Sequence, residues 1–138
     1  MLSVYPACFY EENDGRYSVI FPDLNHLATC GNDLNDTMNM AVECLASYLF
    51  DLKISKEPAP QPSEMKSIDV NAEYDEYKSA FVNMVSVDVD DYAKKHFTKA
   101  VKKTLTIPAW MNDYVVENKL NCSAILQEGI MGKMNNHT

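Results

Sequence analysis

A proline-rich segment divides the sequence into parts that cannot share one helix or one strand. Pro58, Pro60 and Pro62 alternate with other residues inside residues 56–63. Each proline fixes its own φ and lacks the backbone N–H that a helix interior or a sheet ladder requires. The sequence therefore predicts an extended connector here, with separate regular elements before and after it.

The residues before the connector predict a hairpin, a third strand and one long helix. Strand-forming side chains surround a turn signal at residues 12–15 and predict a β-hairpin over residues 3–21. A third short strand is expected over residues 27–30. Apolar residues then recur every three or four positions over residues 34–52, which predicts an amphipathic helix packed on the hairpin.

After the connector, the sequence predicts the rest of a sheet. Residues 67–70 are expected to form a short edge strand, and the longer β-branched run at residues 80–89 is expected to complete the sheet. Residues 90–96 then predict a polar helical turn or linker. The pattern up to this point is that of an α+β domain.

Several motifs in this first part resemble those of the HicB antitoxin family, over roughly residues 4–63. They are, in chain order, Tyr5-Pro6-Ala7, Gly15-Arg16-Tyr17-Ser18-Val19, Phe21-Pro22-Asp23-Leu24, a helix, and Pro-x-Pro-x-Pro-Ser. The resemblance implies that residues 1–93 form a partial RNase H-like β-β-β-α-β domain. It also implies a function, which is to bind and neutralise a HicA-type toxin that cleaves mRNA.

Residues 100–138 predict a second, smaller domain. Leucine and isoleucine alternate with lysine and threonine over residues 102–108, which predicts a short strand that ends at a proline. Helices are expected over residues 109–118 and, after an N-cap at Asn121, up to about residue 133. Because one strand and two short helices cannot close a core alone, the strand must pair with another strand.

The segment Lys-Lys-Thr-Leu-Thr-Ile-Pro at residues 102–108 resembles the ribbon of the ribbon-helix-helix DNA-binding family. The resemblance implies a homodimer through the ribbon, or a tetramer built from it, whose paired strands enter the major groove of operator DNA. Outward ribbon side chains would contact base edges, and the start of the last helix would hold a phosphate. The predicted DNA-binding residues are Lys102, Thr104, Thr106 and Ser123. The alternative is an edge strand and two packing helices of one continuous domain.

Charge is unevenly distributed along the chain. The net charge is −8, but residues 1–93 carry 17 acidic and 5 basic side chains, whereas residues 94–138 carry 3 acidic and 7 basic ones. The acidic part suits a basic toxin, whose active face must attract RNA phosphates, and the basic part suits DNA. The acids predicted to contact the toxin are Glu11, Glu12, Asp14 and Asp23. Solubility explains any single one of them equally well.

The sequence lacks the motifs of common enzymes and metal sites. The four cysteines form no C-x-x-C pair, carboxylates do not converge within a predicted central strand, and nucleophile motifs and phosphate loops are absent. We therefore predict a non-enzyme with no catalytic residues, no metal and no cofactor. The alternatives are a ribbon-helix-helix regulator whose first domain senses a ligand or oligomerises without a toxin, and an RNase H-like nuclease.

The sequence also bears on where the protein acts. The N-terminus lacks a basic region followed by an apolar one, and charged residues interrupt the longest apolar run. These features predict no signal peptide and no membrane span. With all four thiols reduced, a cytoplasmic location is expected.

Overall fold

The computed structural model describes residues 1–97 and 100–136, and it divides into two compact units, Met1–Lys99 and Ala100–Thr138. Among these described residues, the first unit contains four strands and three α-helices, and the second contains two α-helices. The elements are β1 (Ser3–Glu11), β2 (Tyr17–Phe21), β3 (Leu27–Gly31), α1 (Leu34–Ile54), α2 (Val70–Glu73), β4 (Ser79–Val87), α3 (Val89–His96), α4 (Ala109–Glu117) and α5 (Cys122–Asn135).

The four strands form one antiparallel sheet with the order β3-β2-β1-β4. This arrangement confirms the predicted hairpin, the third strand and the final strand that returns to the sheet after the helix. One row of residues runs across all four strands. Cys8 of β1 lies opposite Ile20 of β2 and Val82 of β4, and Ile20 lies opposite Ala28 of β3. Because side chains alternate across a strand, this row and its neighbours two residues away point to the same face of the sheet.

The opposite face of the sheet carries the hydrophobic core. Phe9, Val19 and Phe21 are fully buried there against α1, which contributes Leu45 and Leu49 among other side chains. We call this face the inner face, and the opposite face, which carries the side chains of Cys8 and Tyr10, the outer face. The 3.6-residue period that predicted the helix identifies the buried side chains of Ala41, Leu45 and Leu49, whereas Leu34 at the start of the same stripe is exposed.

The start of α1 is held by a capping hydrogen bond and by close packing of Gly31 in β3 against Thr37 in the helix. Asp33 is the N-cap, and its side chain accepts a hydrogen bond from the backbone N–H of Asp36 at 2.8 Å. Thr37 is buried, and its hydroxyl donates to the carbonyl of Asp33 at 2.6 Å. A Cβ atom at Gly31 would lie 2.5 Å from Oγ1 of Thr37, so the end of β3 can meet the helix only with glycine there.

Residues 56–78 run from the end of α1 to the start of β4, and we call this segment the strap. Several hydroxyl groups of the sheet hold it in place. On the inner face, the hydroxyl of Tyr5 donates to the carbonyl of Pro60 at 2.5 Å. On the outer face, the hydroxyl of Tyr10 donates to the carbonyl of Val70 at 2.6 Å. The extended connector predicted from the prolines is thus the first part of the strap, and the later part, around Val70 and Tyr74, covers the outer side of β1 at Tyr10.

The predicted edge strand over residues 67–70 is wrong. Met65–Ser67 form a 3-10 turn, and α2 begins directly afterwards with Asp69 as its N-cap. The Asp69 side chain accepts a hydrogen bond from the N–H of Asn71 at 3.0 Å. Such a local bond competes with strand pairing, which is why aspartate favours caps and turns. The polar helical turn predicted after β4 is confirmed as α3.

The described residues of the second unit form two helices and enclose no core. Asn121 is the predicted N-cap of α5, and its side chain accepts a hydrogen bond from the N–H of Ala124 at 3.1 Å. Every described residue of this unit is exposed except Val115, which is half-buried. Residues 100–108 form neither helix nor strand in this single chain. A strand needs a partner to complete its hydrogen bonds, so the predicted ribbon requires a second chain.

Across the described parts of both units, we find no helix that is long and apolar enough to span a lipid bilayer.

Candidate functional site

An acidic depression lies where the β1–β2 turn faces the end of the strap. Its volume is about 500 Å³. Four carboxylate side chains and two phenol rings surround it, from only two stretches of the chain. They are Glu12, Asp14, Tyr74, Asp75, Glu76 and Tyr77. This density of negative charge would repel nucleic acid and attract a basic protein surface.

Tyr74 and Glu12 form the side of this depression. The Tyr74 hydroxyl donates to Oε2 of Glu12 at 3.2 Å, and Oε1 of Glu12 accepts from the Ser18 hydroxyl at 3.0 Å. Desolvation and the nearby Glu12 charge raise the pKa of Tyr74, so its phenol stays a hydrogen-bond donor at neutral pH. The Tyr74 ring also meets Tyr10 edge-on, with ring centres 5.3 Å apart. The strap is therefore packed firmly beside the acids.

The neighbouring carboxylates are held in their charged form. The Ser79 hydroxyl donates to Glu11 at 2.7 Å, and this bond, with a smaller effect of Lys78, lowers the pKa of Glu11. Hydrogen bonds from the backbone N–H and guanidinium of Arg16 lower the pKa of Asp14. Both side chains are thus ionised at neutral pH, but part of the charge of each is already balanced by a neighbouring cation.

Asp23 lies at the other end of β2, away from the depression. Its carboxylate accepts two hydrogen bonds from Ser63, at 2.7 Å from the backbone N–H and at 2.6 Å from the hydroxyl. These bonds anchor the strap to the β2–β3 connection. Of the four predicted toxin contacts, the structure places Glu12 and Asp14 in the depression, Glu11 beside it and Asp23 at this anchor.

We expect removal of the Asp23 anchor to destabilise the first unit. Asp23→Ala should lower the free energy of unfolding by about 2 kcal/mol, because charge-assisted hydrogen bonds are lost and the strap loosens. Ser63→Ala should cost about 1 kcal/mol, since its backbone N–H still binds the carboxylate.

Urea unfolding of both variants and of the double variant measures this coupling. The double variant should be no less stable than Asp23→Ala alone, because both changes remove the same contact. Fully additive losses would show that the two residues act independently and that the anchor is not the source of the stability.

The second unit presents an apolar groove of about 640 Å³. It is lined mainly by large apolar side chains from the 100–108 segment and both helices, among them Leu105, Ile107, Trp110, Met111, Ile125 and Leu126. The predicted DNA contacts Lys102, Thr104 and Thr106 are exposed on the segment, and Ser123 lies at the first turn of α5. Large apolar side chains such as Trp110 and Leu105 are exposed there, and contiguous exposed apolar side chains mark interaction sites.

The sequence reasoning missed the strap's contribution to the acidic depression. Asp75, Glu76 and the two flanking tyrosines face residues that are about 60 positions earlier in the chain. The run Tyr-Asp-Glu-Tyr was the available signal, since exposed acids between aromatic residues are typical of a contact surface. In the part of the chain that the structure describes, no group of three or more His, Cys, Asp or Glu side chains is arranged to hold a metal ion.

Comparisons with known proteins match nearly the whole chain. A family model described as HicB-like antitoxin of bacterial toxin-antitoxin system matches residues 5–128. A chain of a toxin-antitoxin complex from Streptococcus pneumoniae shares 34% sequence identity over 96% of this chain and 99% of that chain, with a TM-score of 0.60. No curated protein gives a significant match.

Two further solved structures are similar in fold. The antitoxin HicB from Burkholderia pseudomallei has 18% sequence identity over 98% of each chain, with a TM-score of 0.51. A chain of a HicA3 and HicB3 toxin-antitoxin complex has 24% identity over 62% of this chain and 99% of that chain, with a TM-score of 0.50. At these identities the likeness concerns the fold alone.

Proposed function

Because the chain belongs to the HicB-like antitoxin family, we propose that it neutralises a HicA-type ribonuclease and represses its own operon by binding operator DNA. The family is one of antitoxins and not of enzymes, and the chain is not an enzyme. Two separate surfaces support this double function, one on each compact unit. The toxin-binding domain is residues 1–93, and the DNA-binding domain is residues 100–138.

The acidic depression at the end of the sheet is the observation that supports the toxin-binding part of the proposed function. A ribonuclease must present cations to RNA phosphates, and four carboxylates within one depression compete for those cations. Glu12 and Asp14 act there directly, as the sequence predicts. Glu11 supports them from the adjacent strand position, and Asp23 acts by holding the strap.

The exposed groove of the second unit supports the DNA half. A unit of this size is too small to fold stably by itself without a disulfide, a metal or a partner. Its cysteine, Cys122, is a free thiol, so we expect a second copy of the chain to cover the apolar groove. Pairing the two 102–108 segments as an antiparallel ribbon would bury Leu105 and Ile107 and leave Lys102, Thr104 and Thr106 facing the DNA.

Ser123 would serve a different DNA group from the ribbon. It lies at the start of α5, a helix of 14 residues, where backbone N–H groups point outward. Such a helix start binds phosphate through those N–H groups and the helix dipole. In this arrangement the ribbon reads the bases, and Ser123 contributes to the orientation of the domain on the DNA backbone.

We expect the two ribbon threonines to specify the operator sequence. Thr104→Ala and Thr106→Ala should each cost about 1–3 kcal/mol in operator binding, at one base-pair position for each variant. Toxin neutralisation should be unchanged. Gel-shift titrations against operators substituted one base pair at a time provide the measurement, and a uniform loss over all sequences would contradict base readout.

The competing function is a ribbon-helix-helix regulator without a toxin partner. Co-expression with the neighbouring gene, followed by gel filtration with and without operator DNA, separates the two. Our proposal predicts co-purification of a small basic ribonuclease with this chain. A regulator that binds its operator but no such protein would support the alternative.

A further inference from the structure

The strap covers only half of the outer face of the sheet. On β1, the outer side chains of Cys8 and Tyr10 are fully buried beneath it. The same two rows continue across β2 to Ala28 and Cys30 on β3, and both of these residues are exposed. The outer face therefore changes from covered to open between neighbouring strands of one sheet.

Tyr74 and Glu12 mark the boundary between the covered half and the open half. The Tyr74 ring packs on Tyr10, and its hydroxyl reaches Glu12, which in turn holds Ser18 on β2. Beyond this boundary the open half forms a second depression of about 440 Å³, whose floor includes Ser18, Ile20, Ala28 and Cys30. Its side is formed by the same Glu12 and Tyr74 that line the acidic depression.

The two depressions therefore adjoin along one pair of side chains. One end of the combined surface carries the carboxylates of Asp14, Asp75 and Glu76, and the other end is a sheet floor of small and apolar side chains. An apolar centre beside a charged rim, with an aromatic side chain between them, is the usual composition of a specific protein interface.

We propose that this combined surface is where the basic, RNA-binding face of the toxin docks, with its cations at the acidic end and apolar side chains on the open sheet. This inference rests on the proposed function. A second copy of this chain is a poor occupant, because residues 1–93 carry 17 acids against 5 basic residues and two such surfaces would repel each other. The toxin's positive charge supplies the complement.

The acidic end is tested with two charge-matched double variants. Asp75→Lys/Glu76→Lys reverses two exposed acids in the depression, and Glu43→Lys/Asp51→Lys reverses two exposed acids on α1, which packs on the inner face. Both change the net charge of the chain equally. We expect the first to weaken toxin binding about 100-fold and the second by less than about 5-fold at physiological salt. Equal losses would show that only net charge matters and would overturn the docking surface.

The apolar end is tested with Ala28→Arg, which places a long cation on the open floor. Its control is Asn39→Arg, at an exposed position of α1. Ala28→Arg should weaken toxin binding about 50-fold and the control hardly at all. Alkylation of Cys30 in the unsubstituted chain adds a measurement that needs no variant, because the thiol is exposed until a partner covers the floor.

Bound toxin should slow alkylation of Cys30 at least about 10-fold and leave the exposed Cys122 of the second unit at its original rate. Two results would place the toxin elsewhere on the chain and overturn the inference. One is an unchanged alkylation rate of Cys30 in a complex that still forms, and the other is an unchanged toxin affinity of the Ala28→Arg variant. Failure of the unsubstituted chain to bind toxin at all would instead refute the proposed function, so the two failures are distinguishable.

Discussion

Replacing Leu105 with Asp should dissociate the proposed ribbon dimer and lower operator affinity at least about 100-fold, with toxin neutralisation intact. Leu105 exposes 57% of its surface in the single chain and lines the apolar groove of the second unit. In a paired ribbon the same side chain would be buried between two copies. An aspartate would then be desolvated twice per dimer with no cation beside it, and like charges would oppose each other across the ribbon.

Val116→Asp is the matched control for this prediction. Val116 is also apolar and exposes 66% of its surface, but it lies outside the groove on α4. Its replacement should change neither the elution volume in gel filtration nor the operator gel shift. Equal effects of the two substitutions would contradict the ribbon and would indicate that any added charge in this unit prevents assembly.

Gly31→Ala should destabilise the first unit by about 3 kcal/mol, a large effect for adding one methyl group. The added Cβ atom would lie 2.5 Å from Oγ1 of Thr37 and 2.6 Å from its backbone nitrogen. The close neighbours are thus not only a mobile side-chain end but also the first turn of α1, whose position is set by the Asp33 cap. Relief requires β3 and the helix to separate, which opens the core between them.

Urea unfolding followed by circular dichroism measures the effect of Gly31→Ala. Asn32→Ala, at the exposed next residue, is the control and should change the free energy of unfolding by less than about 0.5 kcal/mol. A loss below about 0.5 kcal/mol for Gly31→Ala would show that β3 and α1 can separate without cost, and that the close approach does not determine how the helix sits on the sheet.

The local patterns in the sequence predict most elements of the fold. The hairpin, α1, α4 and α5 all follow from alternation, helical period, turn residues and caps such as Asn121, which act within a few residues of one another. Because these signals are short-range, they can be recognised in the sequence without knowledge of the tertiary structure.

The strap shows where such local reasoning fails. The β-forming character of residues 67–70 suggested an edge strand, but the Asp69 cap and the hydroxyl of Tyr10 hold this region as a turn and a short helix on the outer face. The partner of Val70 is 60 residues away in the chain. No local pattern encodes a contact of that separation, and tertiary packing overrides strand propensity there.

The candidate site was predictable in its chemistry but not in its composition. Charge asymmetry indicated an acidic surface and selected Glu12 and Asp14, which do line the depression. It also selected Asp23, which the structure shows bonded to Ser63, 40 residues later. Asp75 and Glu76 were missed because only the folded strap brings them to the hairpin turn.

In the second unit, the sequence predicts an element that the single chain does not form. Its sequence pattern predicts a strand at residues 102–108, whereas the single chain forms no strand there. In the proposed ribbon, the alternation of Leu105 and Ile107 with polar residues would place the two apolar side chains against a partner chain. A strand that pairs only with a second copy would be absent from a single chain, so the sequence pattern and the structure of one chain differ here.

Titration of a HicA-type ribonuclease with this chain tests the central claim most directly. The toxin is taken from the neighbouring gene, and cleavage of a labelled RNA is followed while this chain is added. We predict that cleavage stops near one chain per toxin molecule, and that Asp75→Lys/Glu76→Lys requires far more protein than Glu43→Lys/Asp51→Lys does. Cleavage that continues at its original rate with excess unsubstituted chain would contradict the account.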